Sequence, residues 1–257
     1  MMGITRKGSV LMVLLMSCVL PAMVFATVGN TTMTGMTGSI VVPSAVPVST
    51  PENPAVTTGY STLYNTTDGF SHIPFLQISF MDDFEAAFAA DIGPDVDLII
   101  NGKWRFLQTQ ATDFALIVNG QALGLDTGIS WAGRLGVAGT FDSRLLDYPT
   151  VTSIYLGYTF DTPLDTDIDF AMSFETPVFS DELGEMLSLV IDFGNVGYSA
   201  APSGGNAADR GLLNFGLRLL PIEFIKDTYI MADLRILDIF DSSGRAASLG
   251  INLSFRP

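Results

Sequence analysis

The stretch Ala246-Ala247-Ser248-Leu249-Gly250-Ile251-Asn252-Leu253-Ser254-Phe255 decides the fold. Ala247, Leu249, Ile251, Leu253 and Phe255 are all apolar, and the residues between them are small or polar. Successive side chains of a strand leave opposite faces, so this peptide sets one oily face against one wettable face. A helical period does not fit it.

The same period of two recurs towards the N-terminus. In Asp167-Ile168-Asp169-Phe170-Ala171-Met172-Ser173-Phe174-Glu175, one face carries Ile, Phe, Met and Phe and the other Asp, Asp, Ala, Ser and Glu. After Asp95, Val96, Leu98, Ile100, Trp104 and Phe106 alternate with Asp97, Ile99, Asn101, Lys103 and Arg105. Around Trp131, Ile129, Leu135 and Val137 oppose Ser130, Ala132, Arg134 and Ala138, and after Gly211, Leu213, Phe215, Leu217 and Leu219 oppose Asn214, Gly216 and Arg218. Such segments begin near residues 57, 74, 84, 95, 112, 127, 151, 165, 183, 210, 227 and 245. Each has about the 9 to 11 residues of a tilted membrane-spanning strand. Turn chemistry separates them at Asp82-Asp83, Gly93-Pro94, Asp126, Asp161-Thr162-Pro163, the run from Ala201 and Asp241-Ser242-Ser243-Gly244. Alternation is weakest in the first strand and in the segment after Thr112, which leaves ten as the alternative count.

Composition sharpens this reading. The 257 residues are 48% hydrophobic and only 15% charged, with mean hydropathy +0.39. Yet beyond the first 26 residues no window holds the roughly 18 consecutive apolar residues of a spanning helix. A soluble β-sandwich also alternates, but its polar face carries a dense charged coat, whereas the polar faces here are small residues with scattered charges. An unpaired backbone group in hydrocarbon costs several kcal/mol, so spanning strands must close on themselves. The predicted fold is all-β: a closed antiparallel transmembrane β-barrel of 10 to 12 strands over residues 57–257. A secreted soluble β-sandwich binding module is the alternative.

With both chain ends on the periplasmic side, threading twelve strands up and down puts Phe80, Phe84, Trp104, Phe106, Phe114, Phe141, Phe174 and Phe255 at one rim, as an aromatic girdle. The long connection from Gly194 to Arg210 then lies outside. The inward face receives the charges Glu85, Asp91, Asp97, Lys103, Arg105, Arg134, Asp167, Asp169, Asp192, Arg218, Asp233 and Arg235. Paired across the lumen, they make a filled scaffold; along an open path, their acidic excess makes a weakly cation-selective pore.

Ahead of the strands, Arg6 and Lys7 followed by the apolar run Val10 to Leu20 and by Val24-Phe25-Ala26 read as a cleavable signal peptide over 1–26, cut after Ala26. Cys18, the single cysteine, lies within it; Leu15-Met16-Ser17-Cys18 loosely resembles a lipobox, the alternative use of that cysteine. Residues 27–56, rich in Thr, Pro, Ser, Gly and Val, read as a leader or extended segment rather than a packed unit.

The pI near 4.1, with 12 basic and 27 acidic residues, excludes a general nucleic-acid binder. Enzymatic signatures are sparse. His72, the only histidine, falls in a candidate external loop, so a Ser-His-Asp triad would sit on a loop tip; a hydrolase of that type is the minor alternative. Asp165, Asp167 and Asp169 imitate the start of a calcium loop, but Phe170 and Thr176 stand where Gly and Glu are needed. Gly120, Gly124 and Gly128 have the wrong spacing for a dinucleotide fingerprint and are read as relieving crowding in a bent strand. No enzyme activity, cofactor or metal is expected.

Two resemblances follow from the residues quoted. Leu249 to Phe255 resembles the C-terminal strand signal of bacterial outer-membrane β-barrel proteins, porin-like small barrels among them; the departure is the added Arg256-Pro257. That resemblance implies the bacterial outer membrane as location, with membrane lipid, periplasmic chaperones and the barrel-assembly machinery as partners. Thr37-Gly38-Ser39-Ile40-Val41-Val42-Pro43-Ser44-Ala45, followed by Gly59-Tyr60, is similar to the opening of barrels related to the YjbH family, which is associated with exopolysaccharide secretion. The expected role is a narrow passive pore for small solutes or cations, or a structural, surface-exposed barrel.

Overall fold

The computed structural model describes residues 30–48, 53–145, 148–160, 168–179, 186–202, 212–241 and 243–257. Among them twelve strands form a single closed antiparallel sheet: β1 (Ala55–Asn65), β2 (Gly69–Phe80), β3 (Phe84–Ile92), β4 (Val96–Gln108), β5 (Thr112–Leu123), β6 (Ser130–Leu145), β7 (Tyr148–Phe160), β8 (Ile168–Pro177), β9 (Leu187–Gly194), β10 (Leu212–Ile225), β11 (Thr228–Leu237) and β12 (Ala246–Phe255). Each strand pairs with its neighbours in sequence, and β1 closes on β12 from Val56↔Phe255 to Asn65↔Ala246. Twelve strands, not ten, are present among the described residues. Even the two segments with the weakest alternation, β1 and β5, are paired along both edges.

The burial pattern is the reverse of a water-soluble protein's. On β12, Leu249 and Ile251 are 58% and 51% exposed while Asn252 and Ser254 are 1% and 0% exposed. Outward side chains are mostly oily and inward ones mostly polar or small, with Leu63, Ile73 and Ile99 among the apolar exceptions inside. Only hydrocarbon outside makes that arrangement favourable, because each outward Leu or Ile otherwise leaves its apolar area in water at about 25 cal/mol per Å². No helix among the described residues is long and apolar enough to cross a membrane; the crossing is made by strands.

The meander puts the beginning of β1, the end of β12 and the β2–β3, β4–β5, β6–β7, β8–β9 and β10–β11 connections at one rim, called the terminal rim below; the other connections lie at the distal rim. Phe80, Phe84, Trp104, Phe106, Phe114, Phe141, Phe174 and Phe255 all occupy outward positions at the terminal rim. Phe80, Phe84 and Trp104 stack in sequence across three strands, with ring centroids 5.7 and 6.2 Å apart. A second belt circles the distal rim, with Tyr64 against Phe70, Tyr158 against Phe160 and Phe170 against Phe193, and Trp131 outward beside it.

Several sequence expectations change. His72 is not in a loop: β2 begins at Gly69 rather than near 74, and His72 is an outward strand residue paired with Thr62 and Ile92. Its ring stacks on Tyr60, whose hydroxyl bonds Nδ1. Gly124 and Gly128 do not relieve a bent strand; they lie in the β5–β6 turn at φ 65° and 151°, where a left-handed backbone favours glycine. Gly120 is an ordinary outward residue of β5. The largest change concerns residues 27–56: the strands begin at Ala55, and residues 30–48 are packed inside the barrel.

Candidate functional site

The lumen is the site. Its wall is lined at many places by very small inward residues, such as Ser61, Ser79, Ala87, Ala115, Ala138 and Ser173, all 1% exposed or less. A ring of twelve strands is wider than the eight-stranded barrels that side chains alone can fill. Small inward residues enlarge that bore further, and residues 30–48 occupy it.

The segment is folded on itself. Single bridges join Thr31 to Thr37 and Gly38 to Pro43, and turn bonds run from Thr32 N to Met36 O (2.6 Å), Met33 N to Ile40 O (3.0 Å) and Ser44 N to Thr37 O (2.9 Å). Gly35, at φ 86°, turns the chain against the ring of Phe75, and a Cβ at Gly38 would strike the Val42 carbonyl. Met33, Ile40 and Val42 are fully or almost fully buried and share one apolar cluster with Leu63, Ile73 and Ile99 of the wall.

The wall charges grip this segment chiefly by its backbone. The Asp192 carboxylate Oδ2 accepts from three consecutive amides, Ile40 N (2.9 Å), Val41 N (2.7 Å) and Val42 N (3.2 Å), a concavity of N–H groups of the kind that holds anions. Arg218 uses its whole guanidinium. Nε donates to Asp233 (2.6 Å), Nη1 to Glu175 (2.9 Å) and the Gly38 carbonyl (3.2 Å), and Nη2 to the carbonyls of Thr31 and Ser39 (3.1 Å each). Those five bonds match the five donors that a guanidinium has. Arg235 completes the chain by pairing with Asp233 (2.8 Å) and donating to Ser61 Oγ (3.0 Å).

On the other side of the lumen, Lys103 and Glu85 form an ion pair at 3.2 Å, fully buried, and divide one residue of the segment between them. Glu85 accepts from Thr37 N (2.7 Å) and from its hydroxyl, and Lys103 donates to the Thr37 carbonyl (3.0 Å). Further grips come from Asn252 on Thr31 Oγ1 (2.8 Å), Thr140 on Ala45 N (2.8 Å), Glu175 on Asn30 (2.6 Å) and Ser173 on Ser39 (2.8 Å between hydroxyls). The residues that carry the likeness to YjbH-related barrels, 37–45, are those that Glu85, Asp192 and Arg218 hold.

The distal half of the lumen is closed differently. The connection after β9 lies at the rim opposite the chain ends, as the threading expects, and its first part folds into the lumen: Val196, Tyr198, Ser199 and Ala200 are buried. Arg134 donates to the carbonyls of Gly197 (2.6 Å) and Ser199 (2.9 Å) and to Thr159 Oγ1 (3.1 Å), which in turn donates to Asp169 (2.6 Å). Gln121 accepts from Ser199 Oγ and Ala200 N, and Asp91 accepts from the Tyr198 hydroxyl (2.8 Å). Between this connection and the N-terminal segment remains a cavity of about 40 Å³ bordered by Thr34, Asn119, Arg134, Tyr155 and Tyr198, room for about three waters.

Of the inward charges read from the sequence, Glu85, Asp91, Asp97, Lys103, Arg105, Asp169, Asp192, Arg218, Asp233 and Arg235 are buried inside, and Arg134 is partly buried there. Asp167 lies outside the described residues. Asp97 holds the distal turn through Gly124 N (2.7 Å), and Arg105 works at the terminal rim, with Asp83 at 3.0 Å and Asp113 at 3.5 Å. The sequence reading did not single out Glu175, Gln121, Asn252 or the N-terminal segment itself. A signal for the segment existed: residues 27–51 carry no charged side chain at all, beside a wall rich in charges. No group of side chains among the described residues could hold a metal ion.

No family model matches the chain, and no curated protein matches it. Solved structures do. The KdgM porin in complex with disordered oligogalacturonate is 4% identical with a TM-score of 0.50, over 78% of this chain and 98% of its own. The NanC porin is 10% identical with a TM-score of 0.49, over 77% and 98%. The outer membrane protein Omp33 of Acinetobacter baumannii is 10% identical with a TM-score of 0.44, over 81% and 100%. At such identities the likeness is one of architecture: this chain has the closed-barrel fold of bacterial outer-membrane proteins.

Proposed function

We propose that the protein is a passive outer-membrane pore held shut by its own N-terminal segment, with the inward connection after β9 as a second closure on the distal side. The observation that supports this reading best is the division of labour in the lumen. A wall of small side chains leaves a wide bore, and an uncharged segment ahead of β1 fills it, held by hydrogen bonds to wall charges rather than by pairing with the strands. A barrel built only as a scaffold can fill its lumen with larger wall side chains, as eight-stranded barrels do.

Once the N-terminal segment and the connection after β9 have both moved aside, the wall presents Glu85, Asp91, Asp97, Asp169, Glu175, Asp192 and Asp233 against Lys103, Arg105, Arg134, Arg218 and Arg235. That acidic excess concentrates small cations and makes the open pore weakly cation-selective. The role is passive rather than catalytic: His72 faces outward beside Tyr60, away from the lumen carboxylates. Export through the signal at 1–26, cut after Ala26, and insertion by the assembly machinery through the C-terminal strand belong to the same reading. So does contact of the outward face with lipid.

The test uses Ser39 and Ser173, whose side-chain oxygens are 2.8 Å apart across the segment–wall boundary. Ser39→Cys with Ser173→Cys places two thiols within bridging reach, and after removal of the signal with Cys18 they are the only thiols present. In planar bilayers the oxidised protein should stay shut under conditions, such as mild urea, in which the reduced protein opens in discrete steps. If the reduced protein loses protection of residues 30–48 and of residues 196–200 and still shows no steps at any voltage, the barrel is a filled scaffold and the pore reading is wrong.

A further inference from the structure

We propose that the lumen wall is a peptide-binding site, able to take an uncharged Gly/Ser/Thr/Val-rich peptide supplied in trans in place of residues 30–48. The inference rests on the pore reading above, because it treats the segment as a ligand of the wall and not as part of the wall. It is carried by the kind of contact that the wall makes. Asp192 recognises three successive amides, Arg218 recognises three carbonyls, and the Glu85–Lys103 pair takes the amide and the carbonyl of the same residue, Thr37. These are groups that every peptide has. What they demand is a backbone shape, in which one short stretch turns its N–H groups towards an anion while its flanking carbonyls face a guanidinium.

Side-chain selection enters at few points, and it defines the ligand class. A residue larger than glycine at position 38 collides with the peptide's own Val42 carbonyl, and at position 35 it meets Phe75 and an unfavourable φ. Ile40 and Val42 fill an apolar recess, and the Thr37 and Ser39 hydroxyls meet Glu85 and Ser173. A charged side chain has no place among these contacts: a buried charge is stable only with a partner, and the wall charges already have theirs. The binding partner is therefore a neutral, turn-forming peptide of this composition, such as the same segment from a second copy of the chain.

The full chain can test this without building an empty barrel. Asn53 and Pro54 are exposed between the segment and β1, so a protease recognition sequence inserted between them can be cut after folding. The cleaved protein, in detergent, is then mixed with an excess of fluorescein-labelled synthetic peptide 30–48. Saturable binding by fluorescence anisotropy, displaced by unlabelled peptide but not by a scrambled peptide or the Gly38→Val peptide, is the expected result. An Asp192→Asn barrel should bind at least tenfold more weakly. Retention of the original segment against a hundredfold excess of labelled peptide overturns the proposal, as does equal binding of the scrambled peptide. The two readings separate cleanly. Conductance steps without peptide rebinding leave the pore and remove the peptide site, whereas rebinding without conductance leaves the peptide site and removes the pore.

Discussion

Replacing Arg218 by methionine removes the guanidinium while retaining most of the side-chain volume, so its consequence is electrostatic rather than a cavity. In the native lumen the five donors of Arg218 divide two to the wall carboxylates Asp233 and Glu175 and three to carbonyls of the N-terminal segment. Summing about 1.5–3 kcal/mol for each charge-assisted bond overshoots, because bonds to one group are not additive. The loss of one partner of a buried ion pair bounds the total at about 3–5 kcal/mol. Three of the five bonds belong to the segment, so about 2–3 kcal/mol of that total is expected to loosen the segment rather than the barrel. At a factor of ten for every 1.4 kcal/mol, its local opening should rise by about 30- to 140-fold. Hydrogen exchange read by mass spectrometry on fragments covering residues 37–42 is the direct assay, since the amides of Ile40, Val41 and Val42 are those bound by Asp192. Strand amides, and the heat-dependent gel shift of a closed barrel, should be largely preserved. Exchange of that fragment within about threefold of wild type, in a variant that still shows the gel shift, refutes the assignment of Arg218 as a principal grip.

Two further outcomes follow from the same geometry. Because residues 27–51 carry no charged side chain, a membrane potential can pull on the segment only through the α-ammonium that cleavage after Ala26 leaves, worth at most about 2.3 kcal/mol per 100 mV; opening in planar bilayers with an apparent gating charge well above about one contradicts this. The two tryptophans point outward at opposite rims, with Trp104 47% and Trp131 68% exposed. In Trp104→Phe and Trp131→Phe variants, lipids brominated near the headgroup should quench the remaining tryptophan strongly and lipids brominated near the chain end only weakly; the reverse order counts against a girdle at either rim.

The strands were legible because lipid on one side and a polar interior on the other impose the period of two on every residue, as β12 and β8 make plain. Where the alternation is interrupted, legibility falls. Phe70-Ser71-His72 follows a turn, carries a histidine outward and precedes Pro74, so β2 looked five positions shorter than it is. The inward direction of the charges was legible from the same alternation. Their partners were not, because Asp192 and Arg218 are satisfied mainly by main-chain N–H and C=O groups, which every residue possesses and no composition betrays. Residues 30–48 have no periodicity, few large apolar side chains and several turn formers, the marks of an exposed leader. They are buried because the wall supplies hydrogen bonds that the segment cannot make to itself. The inward path of residues 196–201 leaves no mark in the sequence for the same reason: Arg134 and Gln121 hold backbone atoms there.

The contact between Asn252 and Thr31 joins nearly the last strand residue to nearly the first described one. Residues 30–48, synthesised before any strand, therefore cannot reach their final place until β12 has been added, and the seam between β1 and β12 has to exist before there is an interior to enter.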